Sequence, residues 1–196
     1  YRASAMVIIT ISGTAGSGKS TLAKSLIAKL NAKRVYAGGL FRNLARSIDM
    51  TVDEFLLFVD LQPEIDLQID EMVSKLARKL SSKKQTVVVE GRAQFHFLPE
   101  SLKIFVKVDS KVAANRIWED LQTIEGKLNR NEKEYNDKKE LEEQIVSIRK
   151  RNQKQYKKIY GVDYLKESNY DYVLDTKTLS REEALAKVLE FVESKS

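Results

Sequence analysis

Cysteine is absent from this chain of 196 residues, and histidine occurs only once, as His96. Without cysteine the protein can form neither a disulfide framework nor a cysteine-ligated zinc site. This composition fits a reducing compartment, and we therefore expect a cytoplasmic protein.

Long apolar runs are also lacking. No segment approaches the roughly 18 to 20 consecutive apolar residues that a membrane-spanning helix needs, and the N-terminus lacks the basic and apolar segments of a signal peptide. The first strand-like run follows directly after Met6, so we expect residues 1–5 to be an expression remnant outside the fold. Residues 6–196, with 42% hydrophobic composition in the chain, suit a single domain that does not involve a membrane.

Basic charge exceeds acidic charge, with a formal net charge of +6. The cations are concentrated within residues 127–158, where they alternate with Glu and Asp. Such a stretch permits a nucleic-acid partner, suits a small polyanionic substrate, and also fits a solvated helical surface. Charge alone leaves these alternatives open.

Apolar runs of strand length recur between helical patterns. Residues 7–12 (VIITIS) form a continuous β-branched run, which is typical of a strand buried on both faces of a parallel sheet. Further strands are predicted at residues 34–36, 86–90, 102–108 and 170–175. Their alternation with helices predicts an α/β fold of three layers, with a five-stranded, mainly parallel sheet between helices.

Helix starts are marked by capping-box spacing and by proline: Thr51 with Glu54, Ser180 with Glu183, and Pro63.

About 60 residues separate the fourth and fifth predicted strands, which is more than a crossover needs and predicts an insert. Arg149 and Arg151 flank the apolar stripe of a long helix in this insert, a stripe formed by Leu141, Ile145, Ile148, Tyr156 and Ile159.

The segment GTAGSGKS, residues 13–20, matches the phosphate-binding pattern G-x-x-x-x-G-K-[ST] between a predicted strand and a predicted helix. In such a loop, backbone N–H groups and the helix N-terminus surround an anion. Lys19 would reach the β- and γ-phosphates of ATP, and Ser20 would ligate Mg²⁺. A tight turn before a helix is the alternative. The predicted ATP-binding residues of the loop are Gly13, Thr14, Ala15, Gly16, Ser17, Gly18, Lys19, Ser20 and Thr21.

Charged residues also follow the second and third predicted strands. Glu90 ends the run VVVE at the carboxyl edge of the sheet, where it is either a Mg²⁺ ligand or a structural partner of Arg92. Arg42 in AGGLFR and Arg92 in EGR lie at the same edge. Because a guanidinium group binds phosphate through two parallel hydrogen bonds, this pair predicts a site for a monophosphate opposite ATP. Two unrelated surface arginines are the alternative.

From Met6 to about Glu193, the sequence resembles the nucleoside monophosphate kinases, and most closely the cytidylate kinases of compact archaeal type. The resemblance rests on the ordered segments GTAGSGKSTLAK, AGGLFRNLA, PEIDLQID, EGR, ANRI, YKKIYGVD and YDYVLDT. It departs from the family pattern at Ala113, where an arginine is frequent, and at Asn152, which replaces an acidic residue.

The resemblance implies a P-loop kinase fold that transfers the γ-phosphoryl group of ATP to CMP or dCMP with Mg²⁺. It implies acceptor-binding helices over about 38–82 and a lid over about 120–161. Arg116 would lie near ATP. The implied catalytic residues are Lys19, Arg92, Arg149 and Arg151, and the implied acceptor-binding residues are Ala37, Gly38, Phe41, Arg42, Asp66, Gly91 and Arg92.

Several alternatives stay open. Asp66 and Asp70 are four residues apart and either read the cytosine ring or cap and solubilise a helix, while His96 either touches the acceptor or packs in a loop. The acceptor could instead be AMP or UMP, and an adenylate-kinase-like ribosome-assembly ATPase is a further reading. We expect a monomer that binds small nucleotides rather than nucleic acid.

Overall fold

A five-stranded sheet forms the centre of the molecule, seen in a computed structural model that describes residues 7–62, 64–130 and 134–195. The strands lie in the order β2-β3-β1-β4-β5, and each neighbouring pair is parallel. Each predicted strand is confirmed to within two residues at either end. The strands are β1 (Ile8–Gly13), β2 (Lys33–Tyr36), β3 (Val87–Glu90), β4 (Leu102–Lys107) and β5 (Tyr172–Asp175).

Helices connect the strands and cover the sheet. Both predicted capping boxes are present, at Thr51 and at Ser180. Pro63 lies outside the described residues. The helices are α1 (Lys19–Leu30), α2 (Ala37–Ser47), α3 (Val52–Leu61), α4 (Glu64–Ser81), α5 (Gln94–Phe97), α6 (Ser110–Leu121), α7 (Ile124–Arg130), α8 (Lys138–Tyr160) and α9 (Arg181–Ser194), with a 3-10 turn at Glu167–Asn169.

The core has one layer of apolar contacts on each face of the sheet, because successive strand residues point to opposite faces. Ile11 packs in one cluster with Leu26 of α1 and Val188 of α9. Val89 packs on the other face with Val73 of α4. The predicted three-layer α/β fold is therefore confirmed. Within the described residues, no helix is both long and apolar enough to cross a membrane.

The strand order determines where a ligand can bind. The chain leaves β1 toward β2 on one side of the sheet and later reaches β4 on the other side. Connections that leave in opposite directions open a crevice at the carboxyl ends of the strands. Gly13 ends β1 there, with Glu90 at the end of β3 beside it.

The long helix α8 of the predicted insert is part of the core. Leu141 and Ile145 are buried in a cluster with Ile117 of α6. Tyr156, near the other end of α8, is buried in a cluster with Phe105 of β4. We therefore propose that any lid movement within residues 120–161 centres on α7, not on α8.

The packing of α8 predicts a clear contrast in stability. Leu141 is 1% exposed, so Leu141→Ala leaves a cavity and should lower the free energy of unfolding by about 2–5 kcal/mol. Ile124 of α7 is 82% exposed, so Ile124→Ala should change that free energy by less than about 0.5 kcal/mol. Denaturant titration measures both. Equal, small effects would show that α8 does not belong to the core.

Candidate active site

A cleft of about 860 Å³ opens at the carboxyl edge of the sheet. Its floor is the loop between β1 and α1, and its walls come from the ends of β2 and β3 and from α2, α4, α6 and α8. This volume lies near the upper end of the range for small-molecule sites. All the loop residues predicted to bind ATP line this cleft.

The loop is held in shape by the neighbouring strand and helix. The Thr14 amide donates to the Val106 carbonyl at 3.1 Å, and the Thr14 hydroxyl accepts from the Val108 amide at 3.2 Å. Gly16 adopts φ +68°, and a Cβ at this position would lie 2.7 Å from Cα of Ala113. Ala113 is thus a fully buried packing contact beneath the loop.

Lys19 opens α1 and reaches back over the loop, where its Nζ donates to the Thr14 carbonyl at 2.6 Å. Burial and, to a lesser degree, the positive charge of Arg92 together lower the pKa of Lys19 to about 7, although Glu90 opposes the shift. A phosphate group beside Nζ would restore the charged form. The geometry and the charge both suit the predicted contact with a triphosphate.

Glu90 is 2% exposed, and its two carboxylate oxygens differ in their surroundings. Oε1 accepts from Nε of Arg34 at 2.6 Å. Oε2 is buried and has no hydrogen-bond partner within the described part of the chain. The predicted structural partner, Arg92, is therefore replaced by Arg34 from the adjacent strand β2.

The remaining oxygen of Glu90 fits a water-bound Mg²⁺, and Ser20 lines the same cleft. Mg²⁺ in nucleotide sites uses one or two protein ligands together with substrate phosphates. Among the described residues, no group of three acidic or histidine side chains forms a cation site without nucleotide. Glu90 and Ser20 are therefore the residues of this cleft that could hold Mg²⁺ beside a bound nucleotide.

All predicted acceptor-binding residues line the same cleft as the loop: Ala37, Gly38, Phe41, Arg42, Asp66, Gly91 and Arg92. Burial disfavours the charge of Arg92, but the neighbouring Tyr156, Tyr164 and Asp66 outweigh that effect, so the pKa of Arg92 is raised above its ordinary value. Arg92 therefore carries a full positive charge at neutral pH.

Two buried carboxylates lie one helical turn apart on α4. Asp66 Oδ2 accepts from Gln155 of α8 at 3.0 Å. Asp70 accepts from Gln94 at 2.6 Å and from the Tyr160 hydroxyl at 3.2 Å. Burial and the charge of Asp66 raise the pKa of Asp70 to about 7. These side chains line the cleft and do not solubilise an exposed helix face.

The two predicted lid arginines lie in different positions on α8. Arg149 lines the cleft, and its Nε and Nη2 atoms are buried without a hydrogen-bond partner in the described residues. Within the same residues, Arg151 is not on the cleft wall. Arg149 is therefore the better placed of the two for an anion in the cleft.

Arg116 of α6 lines the cleft and braces the phosphate loop. Its Nη2 donates to the Thr176 carbonyl at 2.8 Å, and its Nη1 donates to the Thr176 hydroxyl at 3.1 Å. The Thr176 hydroxyl in turn contacts the Ser17 carbonyl at 3.0 Å. Arg116 thus lies beside the loop, as the resemblance implies, and its polar contacts run to protein oxygens.

Sequence reasoning missed several residues of the site. Thr176 follows β5 at the carboxyl edge of the sheet, so the rule that singled out Glu90 could have found it. No local sequence pattern predicts the contacts of Gln155 and Tyr160 with Asp66 and Asp70, because these contacts depend on how α8 packs.

His96, for which the sequence left two alternatives, is exposed and stacks on Tyr160, with ring centres 6.1 Å apart.

A parallel sheet, a phosphate loop between β1 and α1, and a cleft lined by arginines define a P-loop phosphotransferase. The chain belongs to the cytidylate kinase-like family, which it matches over residues 8–178.

Curated relatives agree with this assignment, and a solved structure shares the fold. The chain is 33% identical to "Cytidylate kinase" of Pyrobaculum neutrophilum over 95% of this chain and 93% of that protein. It is also 33% identical to "Cytidylate kinase" of Thermococcus kodakarensis over 87% of this chain and 79% of that protein. The crystal structure of shikimate kinase from Bacteroides thetaiotaomicron shares the fold, with a TM-score of 0.57, 17% identity, and coverage of 95% of this chain and 98% of that chain.

The lowered pKa of Lys19 predicts a pH dependence of ATP binding. Above pH 7 the free protein holds Lys19 neutral, whereas bound phosphates favour the charged form. Binding therefore takes up a proton, and affinity should fall by up to about tenfold per pH unit between pH 8 and 9. Calorimetry in buffers of different ionisation enthalpy measures both quantities.

The control for this prediction is Lys19→Gln, which should bind ATP more weakly but with little pH dependence. The phosphates are already ionised in this range, since the second pKa of a phosphate group is about 6. An equal slope in both proteins would show that another group takes up the proton.

Proposed function

We propose that this protein transfers the γ-phosphoryl group of ATP to CMP or dCMP, which yields ADP and CDP or dCDP. The observation that carries this proposal is that the phosphate loop and the two arginines, Arg42 and Arg92, line one cleft in a member of the cytidylate kinase-like family. The relatives named cytidylate kinase favour a cytidine acceptor over AMP, UMP or a ribosome-assembly role.

ATP would bind with its phosphates in the loop from Gly13 to Thr21. The backbone N–H groups of this loop and the start of α1 supply an electropositive cradle. Lys19 lies over the loop and would contact the β- and γ-phosphates once its charge is restored. Arg116 would keep the loop in place from α6 and lie beside the bound nucleotide.

Ser20 and Glu90 would hold Mg²⁺, with Ser20 as a direct ligand and Glu90 through water. The metal would neutralise charge on the β- and γ-phosphates as that charge shifts during transfer. Arg34 holds one oxygen of Glu90 and leaves the other directed to this role.

The acceptor would bind opposite ATP. Arg42 and Arg92, which both line the cleft, would hold its phosphate, and the raised pKa of Arg92 keeps that charge fixed. Asp66, which also lines the cleft, would accept a hydrogen bond from the amino group of cytosine. Ala37, Gly38, Phe41 and Gly91 would complete the acceptor wall.

Phosphoryl transfer passes through a loose transition state with negative charge on the equatorial oxygens. The protein therefore needs no nucleophile of its own, and it acts by aligning the two substrates and supplying cations. Lys19, Arg92 and Arg149, which line the cleft, would surround the transferring group, whereas Arg151 lies off the cleft wall. Closure of the lid segment would exclude water and so prevent hydrolysis of ATP. We propose that the protein acts as a cytoplasmic monomer.

A panel of monophosphates tests the proposed reaction. With ATP and Mg²⁺, ADP should form rapidly with CMP or dCMP and at least roughly tenfold more slowly in kcat/KM with UMP or AMP. Preference for AMP or UMP would change the acceptor. ATP hydrolysis that responds to RNA, falls steeply with salt and needs no monophosphate would instead support the ribosome-assembly role.

Substitutions test the assigned residues. Lys19→Ala should abolish transfer with the fold intact, because the side chain binds phosphate and does not pack in the core.

Arg42→Ala and Arg92→Ala should each reduce kcat/KM for CMP by roughly 10- to 100-fold, since each removes a charge-assisted contact to a dianion. Arg78→Ala is the matched control, because Arg78 pairs with Glu100 outside the cleft. Unchanged acceptor kinetics in the first two arginine variants would place the acceptor elsewhere.

A further inference from the structure

Tyr36 joins the two halves of the cleft. It is the last residue of β2 and directly precedes α2, the helix that carries Arg42. Its side chain lines the cleft and is half-buried. Neither the phosphate-loop pattern nor the resemblance singles this residue out.

The Tyr36 hydroxyl contacts one predicted functional side chain closely and a second one loosely. Nη2 of Arg42 donates a hydrogen bond to this hydroxyl. Oγ of Ser20 lies 3.5 Å away, at the outer limit of a hydrogen bond. The hydroxyl thus stands between the proposed acceptor-phosphate residue and the proposed metal ligand.

The aromatic ring of Tyr36 also lies against two guanidinium groups. Cζ of Arg42 is 5.1 Å from the ring centre, and Cζ of Arg34 is 4.3 Å from it. These distances are within the range of cation–π attraction. Arg34 is the residue that pairs with Glu90, so the ring contacts both an acceptor-side arginine and the partner of the proposed metal carboxylate.

Two glycines in α2 leave space for this ring. A Cβ at Gly39 would lie 2.7 Å from Cδ1 of Tyr36, and a Cβ at Gly38 would lie 3.1 Å from Cε2. Glycine has a lower helix propensity than alanine. The start of α2 therefore has low helix propensity at the two positions where a side chain would displace the ring.

From these contacts we infer that Tyr36 is a positioning residue that orients Arg42 toward the acceptor phosphate. This inference rests on the proposed function. A free arginine side chain has several rotatable bonds, and fixing it in one orientation costs entropy when a ligand binds. The Tyr36 ring and hydroxyl hold the guanidinium before the acceptor arrives, which reduces that cost.

The hydroxyl separates this role from simple packing. A phenylalanine would keep the ring, its fit over the two glycines and its contact with Arg34. It would remove the acceptor of the Arg42 hydrogen bond and the long contact with Ser20. Tyr36→Phe is therefore expected to raise the KM and the Kd for CMP roughly tenfold, which is the size expected for one lost hydrogen bond to a charged group. KM for ATP should change less than about twofold, because the Ser20 contact is long.

A double-mutant cycle tests whether Tyr36 acts through Arg42. Wild type, Tyr36→Phe, Arg42→Ala and the double variant are compared by steady-state kinetics with CMP and by calorimetric binding of CMP and of ATP. The matched control is Tyr172→Phe, because Tyr172 stacks on Phe191 away from the cleft. In the Arg42→Ala background, the loss caused by Tyr36→Phe should shrink to less than about twofold.

The outcomes are distinct. A wild-type protein that does not phosphorylate CMP would overturn the proposed function itself. If wild type is active, unchanged KM and Kd for CMP in Tyr36→Phe would overturn the role of Tyr36. A loss of equal size with and without Arg42, or an equal loss of ATP and CMP binding, would also overturn it, since either result indicates general packing. Tyr172→Phe should match wild type in every measurement.

Discussion

Like charges lie close together at two places in the cleft, and their repulsion, together with burial, shifts the pKa values of the site. At the phosphate loop, burial and the charge of Arg92 lower the pKa of Lys19 to about 7. At the far wall, burial and the charge of Asp66 raise the pKa of Asp70 to about 7. In the proposed reaction, a phosphate group would offset the positive charge around Lys19, and a hydrogen-bond donor would offset the negative charge around Asp66 and Asp70. A nucleoside monophosphate beside ATP offers both.

Packed helices and strands, together with hydrogen bonds to the phosphate loop, hold these charged groups in place. The loop is attached to β4 through Thr14 and to the turn after β5 through Arg116 and Thr176. On the other side, α8 is packed into the core through Leu141 and Tyr156. Because the charged groups cannot move apart freely, their mutual repulsion is retained until a ligand binds.

The sequence was sufficient to predict the strands, the helix caps and the phosphate loop, because apolar runs and local motifs encode them directly. It was insufficient for contacts that depend on how strands and helices are placed side by side. The pair between Arg34 and Glu90 depends on the neighbouring positions of β2 and β3. The contact between Gln155 and Asp66 depends on the rotation of α8 about its axis. The same limit left Arg149 and Arg151 equivalent in the sequence.

The contact between Thr176 and Ser17 joins residues that are 159 positions apart in the chain. Together with Arg116, it means that the phosphate loop is braced by segments synthesised long after the loop itself. A nascent chain that has extruded only the first strand and helix carries the complete loop motif without these supports. The ability to grip a triphosphate in the geometry described above therefore arises late in synthesis, once β4, α6 and the turn after β5 have emerged and docked.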